Sequence, residues 1–582
     1  MQSGYYPLLE DLQNDYKKLI NECRKKYSII KEVLEISIKA IDNLKSLSKE
    51  HQTQPPLSDK IISFENELSV SIEILIKPIS LITDNKHTKL YLYCTFIIKK
   101  LVTYNFISTN QSKQIIRIIK ELFDYSNEEI QLKILETLQS MLNSNKIPIS
   151  SQESLTTVLC ISCKLFMLKN TEFKNPLRLF FQTFIKTICD VVNKEQLPER
   201  TDTNQGVISF IQVLIEIGEG KKKEWVQNTI YSKCLGIELL CQFITNFKLN
   251  NENNDIFTFI ENEAFALVLK ILPITNEYLT GVKLTRLTVL LMVKLNCCFE
   301  LIDTVLKLAE KESITWHKII GLEALSELLL YPHLLIELYI KHNNQYDKII
   351  TALTEITYKN VIIVKNNSFQ INNNNPSISL TSSSKKGSDI KDKTEISFTN
   401  LLSKTKSINN SSILIENEQN IITPIHNIYL YKLLIDCFVN IKNSYIALLE
   451  KENVSIGKIN EINEQIIPLQ KFLQFKYVDI KGALIGLLLH SNDIGVSQNY
   501  LTIFQAMITI YASVSLYIER DEYLNDLCKL ALPNNLVSFY EMKEKNILII
   551  QAIFNMVHCE NILDTNSWLL LFEMLHNLYK VH

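Results

Sequence analysis

The residues in this chain whose types could do chemistry stand at spacings that do little for it. Cys160 and Cys163 form a lone CxxC, but both fall inside the apolar stretch Leu155–Met167. No second pair follows at zinc-ribbon spacing, so the two read as packed thiols rather than a metal or redox site. Cys297-Cys298 reads as an adjacent pair within a helix, its members facing different directions. His317, His333 and His342 are close in sequence but fall on successive helices and turns. There is no HExxH, no GxxxxGK[ST] loop, no GxGxxG and no GxSxG. The carboxylates lie largely on polar helix faces, often three or four positions from lysines, the pattern of solvated surfaces. No catalytic residue, cofactor-binding residue, metal ligand or cofactor is assigned, and the chain is read as non-enzymatic.

Two basic spots remain. Lys17-Lys18 with Arg24-Lys25-Lys26 lie on the polar side of the first helices, and Lys221, Lys222 and Lys223 precede Trp225 after Gly218 and Gly220. Lysines beside an aromatic anchor can touch anionic lipid headgroups, each contributing about 1 kcal/mol near such a surface. A solvated loop is the plainer alternative. Lys221, Lys222, Lys223 and Trp225 are therefore candidate partner or membrane contacts.

The elements that must position these residues are helices. Only 12 of 582 residues are glycine, where ordinary usage gives roughly 40. Tight sheet turns and phosphate-cradling loops need glycine for positive φ and close backbone approach. Apolar residues recur instead at helical spacing. Ile130, Ile134, Leu135, Leu138, Met141 and Leu142 share one stripe, and Ser126 with Glu129 before it has the pattern of a capping box. Similar units, Leu284–Phe299 and Tyr346–Ile356 among them, recur in pairs about every 40 residues, the period of HEAT or armadillo stacks. The expected fold is all-α, a HEAT/armadillo-like α-solenoid.

Charge and cysteine usage bound the setting. With 61 basic and 63 acidic residues the net charge is -2, which leaves no global footprint for nucleic acid. The 12 cysteines show no disulfide framework, which fits reduced thiols in cytosol. The first residues lack the basic flank and apolar run of a signal peptide. No apolar stretch approaches the roughly 20 residues that span a bilayer, so any membrane contact is expected to be peripheral. From about Lys365 to Asn420 the composition turns to Asn, Ser and Lys, so residues 365–424 read as a disordered Asn/Ser-rich insertion.

Several segments resemble one family in order. LLEDLQNDYKKLINECRKKYSIIKEVLEISIKAI (Leu8–Ile41), Ser126–Asn145 and Val158–Asn170 resemble the dimerisation and cyclophilin-binding domain of the Mon-two family of Golgi-associated scaffolds. That family is related to the large Sec-seven-type Arf exchange factors. GVISFIQVLIEI (Gly206–Ile217) leading to Trp225, CLGIELLCQFITNF (Cys234–Phe247) and Thr315–Asp347 are similar to the upstream-homology region. Glu519–Pro533 and Lys545–Trp568 look like the first downstream-homology segment, the latter keeping its Lys-Asn, His-Cys and Ser-Trp pairs in register.

The resemblance implies four parts: 1–195, a dimerisation and cyclophilin-binding-like domain; 205–364, upstream-homology-like; 365–424, the insertion; and 425–582, downstream-homology-like repeats. It implies a non-enzymatic scaffold in transport between trans-Golgi and endosomes, cytoplasmic and peripheral on those membranes. A Dopey-family protein and an Arf-like small GTPase would be its partners, and the N-terminal domain would self-associate. The Tyr346-Asp347 turn joins the candidate contacts, whereas Trp316 and Trp568 open apolar helices and read as core. The family's members are longer, and this chain resembles their N-terminal third. No Sec-seven exchange loop lies between the upstream and downstream segments. The alternative is the N-terminal regulatory part of a large Sec-seven-type Arf guanine nucleotide exchange factor.

Overall fold

The computed structural model describes residues 5–23, 27–52, 58–84, 86–125, 127–168, 173–194, 200–221, 229–248, 254–310, 315–371, 423–454, 456, 466–491, 494–532, 542–557 and 562–581. Helices account for nearly all of them, and there is no strand among the described residues. Packing divides the chain into two compact units, Met1–Leu295 and Asn296–His582.

The first unit opens with α1 (Tyr5–Glu22), α2 (Ser28–Gln52), α3 (Ser58–Asp84) and α4 (Tyr91–Thr103). It continues through α5 (Thr109–Asp124), α6 (Glu128–Asn143), α7 (Gln152–Phe166) and α8 (Lys174–Val192). α9 (Arg200–Gly218), α10 (Ile230–Asn246), α11 (Asn254–Ile271) and α12 (Tyr278–Lys294) complete it. Beyond the opening bundle, each helix packs on the second helix after it. One layer runs α3, α5, α7, α9, α11 and the other α4, α6, α8, α10, α12. Helices within a layer are parallel. Arg117 and Lys164 pair with Glu153 and Asp124 between α5 and α7, while Lys233 and Lys283 pair with Glu277 and Glu238 between α10 and α12. Two layers of parallel helices, joined by antiparallel hairpins, are the packing of an α-solenoid. The expected fold class is borne out.

The second unit holds α13 (Leu301–Glu310), α14 (Thr315–Leu328), α15 (Pro332–Lys341) and α16 (Asn343–Ile371). After residues 372–422 come α17 (Thr423–Lys451), α18 (Ile466–Gln474), α19 (Tyr477–His490) and α20 (Ile494–Ser513). α21 (Tyr517–Ala531), α22 (Glu544–Val557) and α23 (Thr565–Val581) end it. α14, α17, α20 and α22 form one layer, and α13, α16, α19, α21 and α23 the other. α14 and α17, more than 90 positions apart in sequence at their starts, are joined by a polar seam. Asn440 Nδ2 donates to the Ser326 carbonyl at 2.8 Å, and Ser444 Oγ to the Leu329 carbonyl at 2.6 Å. Helix α16 continues to Ile371, past the expected start of the insertion at 365, and residues 372–422 lie outside the described residues.

Local chemistry explains several boundaries. All six stripe residues of α6 are buried. Its N-cap is Asn127, whose Oδ1 accepts from the Ile130 N–H at 3.1 Å, while Ser126 of the expected box lies outside the described residues. The unit expected over Leu284–Phe299 stops at Lys294, because Asn296 and Cys298 take left-handed φ of 54° and 61°. Cys297 and Cys298 thus lie on a turn rather than in a helix, their sulfurs 3.5 Å apart. Gly236 and Gly321 do lie at close helix crossings. A Cβ on Gly321 would stand 2.6 Å from the Ala309 nitrogen of α13, and one on Gly236 would stand 2.8 Å from the Leu214 carbonyl of α9.

Candidate interaction surface

The lysine loop begins where α9 ends. Gly220 takes φ 75°, and the amides of Gly220 and Lys221 reach back to the carbonyls of Ile217 and Glu216. This is the Schellman closure that a glycine permits. It sets Lys221 at the surface with its Nζ 2.7 Å from Glu219, which also takes Lys270 of α11 at 3.0 Å. Burial alone would raise the Glu219 carboxyl, but the hydrogen bonds from Lys221 and Lys270 outweigh it and hold the group below its ordinary value. Lys221 therefore stands at the connection as one member of a three-charge cluster. Lys222, Lys223 and Trp225 lie outside the described residues.

Tyr346 is not a surface residue. Its side chain is 1% exposed, and its hydroxyl lies 3.1 Å from that of Tyr445. The ring packs among Tyr339, Phe472 and Phe475. The physical reason is that α16 begins at Asn343, one residue after α15 ends, so Tyr346 falls on the core side of a first helical turn rather than in a loop. The expectation of a contact there is corrected. Asp347 remains at the surface and pairs with Lys476 at 2.8 Å. Lys476 itself takes φ 61° at the start of α19, so Asp347 holds the α18–α19 turn.

The motif residues of the second unit also turn inward. Lys545 Nζ donates to the carbonyls of Leu488, Leu489 and Ser491, closing the C-terminus of α19, and burial lowers its pKa. Its neighbour Asn546 donates to the Leu530 and Ala531 carbonyls at the end of α21. Arg520 is fully buried, with Nη2 2.8 Å from both Asp521 and Asp564 and Nη1 donating to the Ile562 carbonyl at 3.0 Å. Ser567 Oγ completes the clamp by donating to Asp521 at 2.6 Å. The Lys-Asn pair thus serves helix caps and Ser567 a buried arginine clamp, while His558 and Cys559 lie outside the described residues. Trp316 and Trp568 are half-buried, between the core reading and a surface one.

Nothing at the surface assembles a reaction centre among the described residues. Cys160 and Cys163 are buried, and burial pushes the Cys160 thiol up to about 11 and Cys163 further, away from the thiolate that nucleophiles and metal ligands require. His317 is fully buried, whereas His333 is exposed on the next helix. No group of three or more His, Cys, Asp or Glu could hold a metal ion among the described residues. No single helix among them is long and apolar enough to cross a membrane. Periodicity alone did not single out the exposed apolar residues at helix connections, Leu179, Tyr231 and Ile274. The available signal was their departure from the buried stripe.

Comparison with known proteins bears on this geometry. Residues 5–196 match the family model of the Mon2/Sec7/BIG1-like dimerisation and cyclophilin-binding domain. The Protein MON2 homolog of Drosophila melanogaster is 21% identical over 372 residues, covering 56% of this chain and 21% of that protein. The Homo sapiens homolog is 22% identical over 283 residues, covering 45% of this chain and 15% of that protein. The matched stretches therefore span about a fifth or less of the relatives' length. Crystal structures of Kap121p, free and bound to RanGTP, align at 10% identity with TM-scores of 0.30 and 0.28, covering 94% and 98% of this chain and 59% and 64% of theirs. The fold rests on the layer packing, not on those two likenesses. The resemblance read from the sequence is borne out: the chain is similar to Mon2 homologues and carries, at its N-terminus, a Mon2/Sec7/BIG1-like dimerisation and cyclophilin-binding domain.

Proposed function

We propose that the chain is a non-enzymatic, peripheral-membrane scaffold in vesicular transport between trans-Golgi and endosomes, acting by protein–protein binding. The observation that carries this reading is the domain match over residues 5–196, placed on a two-layer helical stack. A solenoid presents long lateral surfaces and exposed connections, so its work is recognition by side chains. The domain's description supports self-association through the first unit. A Dopey-family protein and an Arf-like small GTPase are the proposed partners.

Co-precipitation of two differently tagged copies, with imaging against a trans-Golgi marker, tests the reading. Self-association and Golgi or endosomal puncta are expected. A diffuse protein that neither self-associates nor recovers a trafficking partner would overturn it. The second reading, a regulatory part of a Sec-seven-type exchange factor, is favoured by one observation: the matching domain model spans both groups. Stimulated nucleotide exchange on an Arf-type GTPase, in a complex containing this chain, would select it.

A further inference from the structure

Exposed apolar side chains in the two-layer part of the first unit, beyond the opening bundle, are unevenly placed. Between residues 91 and 295, Tyr125, Leu179, Ile230, Tyr231, Leu269 and Ile274 are exposed, along with Phe96. Lys133 lies over the Phe96 ring at 6.0 Å. The other six all fall at or within two turns of the α5–α6, α7–α8, α9–α10 and α11–α12 connections. Because the helices of each layer are parallel, these alternate connections share one edge of the unit. Side-chain contacts join neighbours along it. Lys86 stands over the Tyr125 ring at 4.7 Å, and Glu219 after α9 holds Lys270 of α11. On the opposite edge the apolar residues of the α4–α5 and α6–α7 connections, Phe106, Ile107, Ile147 and Ile149, are buried.

The charge on the α7–α8, α9–α10 and α11–α12 stretch is basic. Lys174, Arg178, Lys221 and Lys270 are exposed there. The acids described at or within two turns of these connections are Glu216, Glu219 and Glu277; Glu216 accepts from Gln212 at 3.4 Å, and Glu219 and Glu277 are engaged by lysine, Glu277 by Lys233 at 3.2 Å. Leu179, Tyr231 and Ile274 stand among these cations with 61%, 62% and 74% exposure. Helices of one layer lie about 8–10 Å apart, so three connections make a row of roughly 20 Å. Apolar side chains projecting from a basic row match a flat anionic interface, where the side chains enter the headgroup region and the cations remain among the phosphates.

We propose that this edge of the first unit docks on anionic lipid bilayers, with Leu179, Ile230, Tyr231 and Ile274 inserting and Lys174, Arg178, Lys221 and Lys270 engaging headgroups. The proposal deepens the scaffold reading and rests on it for the membrane setting. Flotation of the full chain with phosphatidylcholine vesicles containing phosphatidylserine tests it, against phosphatidylcholine alone. Binding to the anionic vesicles that weakens as salt is raised is expected. Lys174→Glu with Arg178→Glu is expected to weaken it by about fivefold or more per residue. Ile230→Ser, Tyr231→Ser and Ile274→Ser together are expected to weaken it while preserving the salt dependence. Lys146→Glu with Lys248→Glu, on the opposite edge, is expected to leave it unchanged, with circular dichroism confirming the fold of each variant.

Wild-type protein that ignores anionic vesicles, or edge variants that bind as wild type does, overturns the proposal. So does equal loss in the opposite-edge variant. Edge variants that lose Golgi localisation when the wild type binds no vesicles place a protein partner on this edge instead, and overturn lipid docking while leaving the scaffold reading standing. Diffuse, partnerless wild-type protein in cells overturns the scaffold reading itself, whatever the vesicles show.

Discussion

The two units join neighbouring helices of a layer by different means. From α4 to α12 the polar ties between them are mostly ion pairs at the surface: Lys99–Glu136, Lys164–Asp124 and Lys283–Glu238. The second unit has such pairs too, as in Lys348–Asp303, but it adds polar groups inside the stack. Arg520 is clamped by two carboxylates, Tyr346 meets Tyr445, and Asn440 and Ser444 cross from α17 to α14. A surface pair contributes about 0–1 kcal/mol and tolerates replacement. A buried polar group leaves its partner desolvated when lost, so it admits one register. The first unit is thus held by apolar burial and can vary its outer chemistry. The second has residues fixed inside its stack.

Removing Arg520 should break this contrast most visibly. Arg520→Met leaves Asp521 and Asp564 facing each other without their cation and opens the seam between α21 and α23. A loss of about 3–5 kcal/mol is expected, the range for breaking a buried pair on one side. Trp568 follows Ser567 of the clamp, so its fluorescence during denaturation reports the event. Hydrogen exchange should rise in α21–α23 and remain unchanged in α4–α12. A loss under about 1 kcal/mol would put the clamp in the same class as the surface pairs.

Gly321→Ala comes next. The added Cβ would meet the Ala309 backbone at 2.6 Å, and backbone cannot rotate away as a side chain can. Overpacking of this kind costs about 1–3 kcal/mol, measurable as a lower denaturation midpoint. An unchanged midpoint would show that α13 and α14 part freely. The sequence made this crossing legible, since a rare glycine inside an apolar helix needs a packing reason. Helix content, the Ile130–Leu142 stripe and the two-layer repeat were legible for the same reason: period and composition act along the chain.

What escaped depended on a break of one or two residues. Asn343-Asn344-Gln345 before Tyr346 reads as polar loop, yet α16 already starts there and turns Tyr346 inward. Periodicity gives a stripe but not the start that fixes its phase. Cys297 and Cys298 fall outside the helix because α12 is ended by Asn296, a residue that favours left-handed φ but is a weaker sequence mark than glycine. The basic, apolar edge escaped because it gathers residues from connections some 50 positions apart. Only parallel packing within a layer brings them together.

A smaller, pH-dependent effect probes the α14–α17 seam. Burial raises the Glu323 carboxyl above its ordinary range, against the hydrogen bond donated by Tyr429 at 2.5 Å. Its unfolded value is about 4.3. The folded state therefore binds more protons between that value and the raised one, and stability falls as pH rises through the window. Glu323→Gln keeps an acceptor for Tyr429 without a charge to desolvate. Its stability at neutral pH should equal or exceed that of the wild type, and the loss on going from acid to neutral pH should shrink. Denaturation midpoints on both sides of the window decide. A Gln variant less stable than wild type at neutral pH would mean that the seam needs the charge.

The smallest expected effect lies in the first unit, at the pair of Lys164 on α7 with Asp124 on α5, 2.7 Å apart and with each side chain about one-third exposed. A double-mutant cycle with Lys164→Met and Asp124→Asn isolates their coupling. It should be under about 1 kcal/mol and should fade between low and high salt, as the screening length falls from about 10 Å at 0.1 M to about 3 Å at 1 M. Coupling near 2 kcal/mol that ignored salt would place this layer under the same register control as Arg520. The pair lies at the ends of α5 and α7, beside the proposed lipid edge. A weak, salt-sensitive coupling would therefore mean that the surface of the first unit can exchange its charges for a partner's without loosening the stack beneath it.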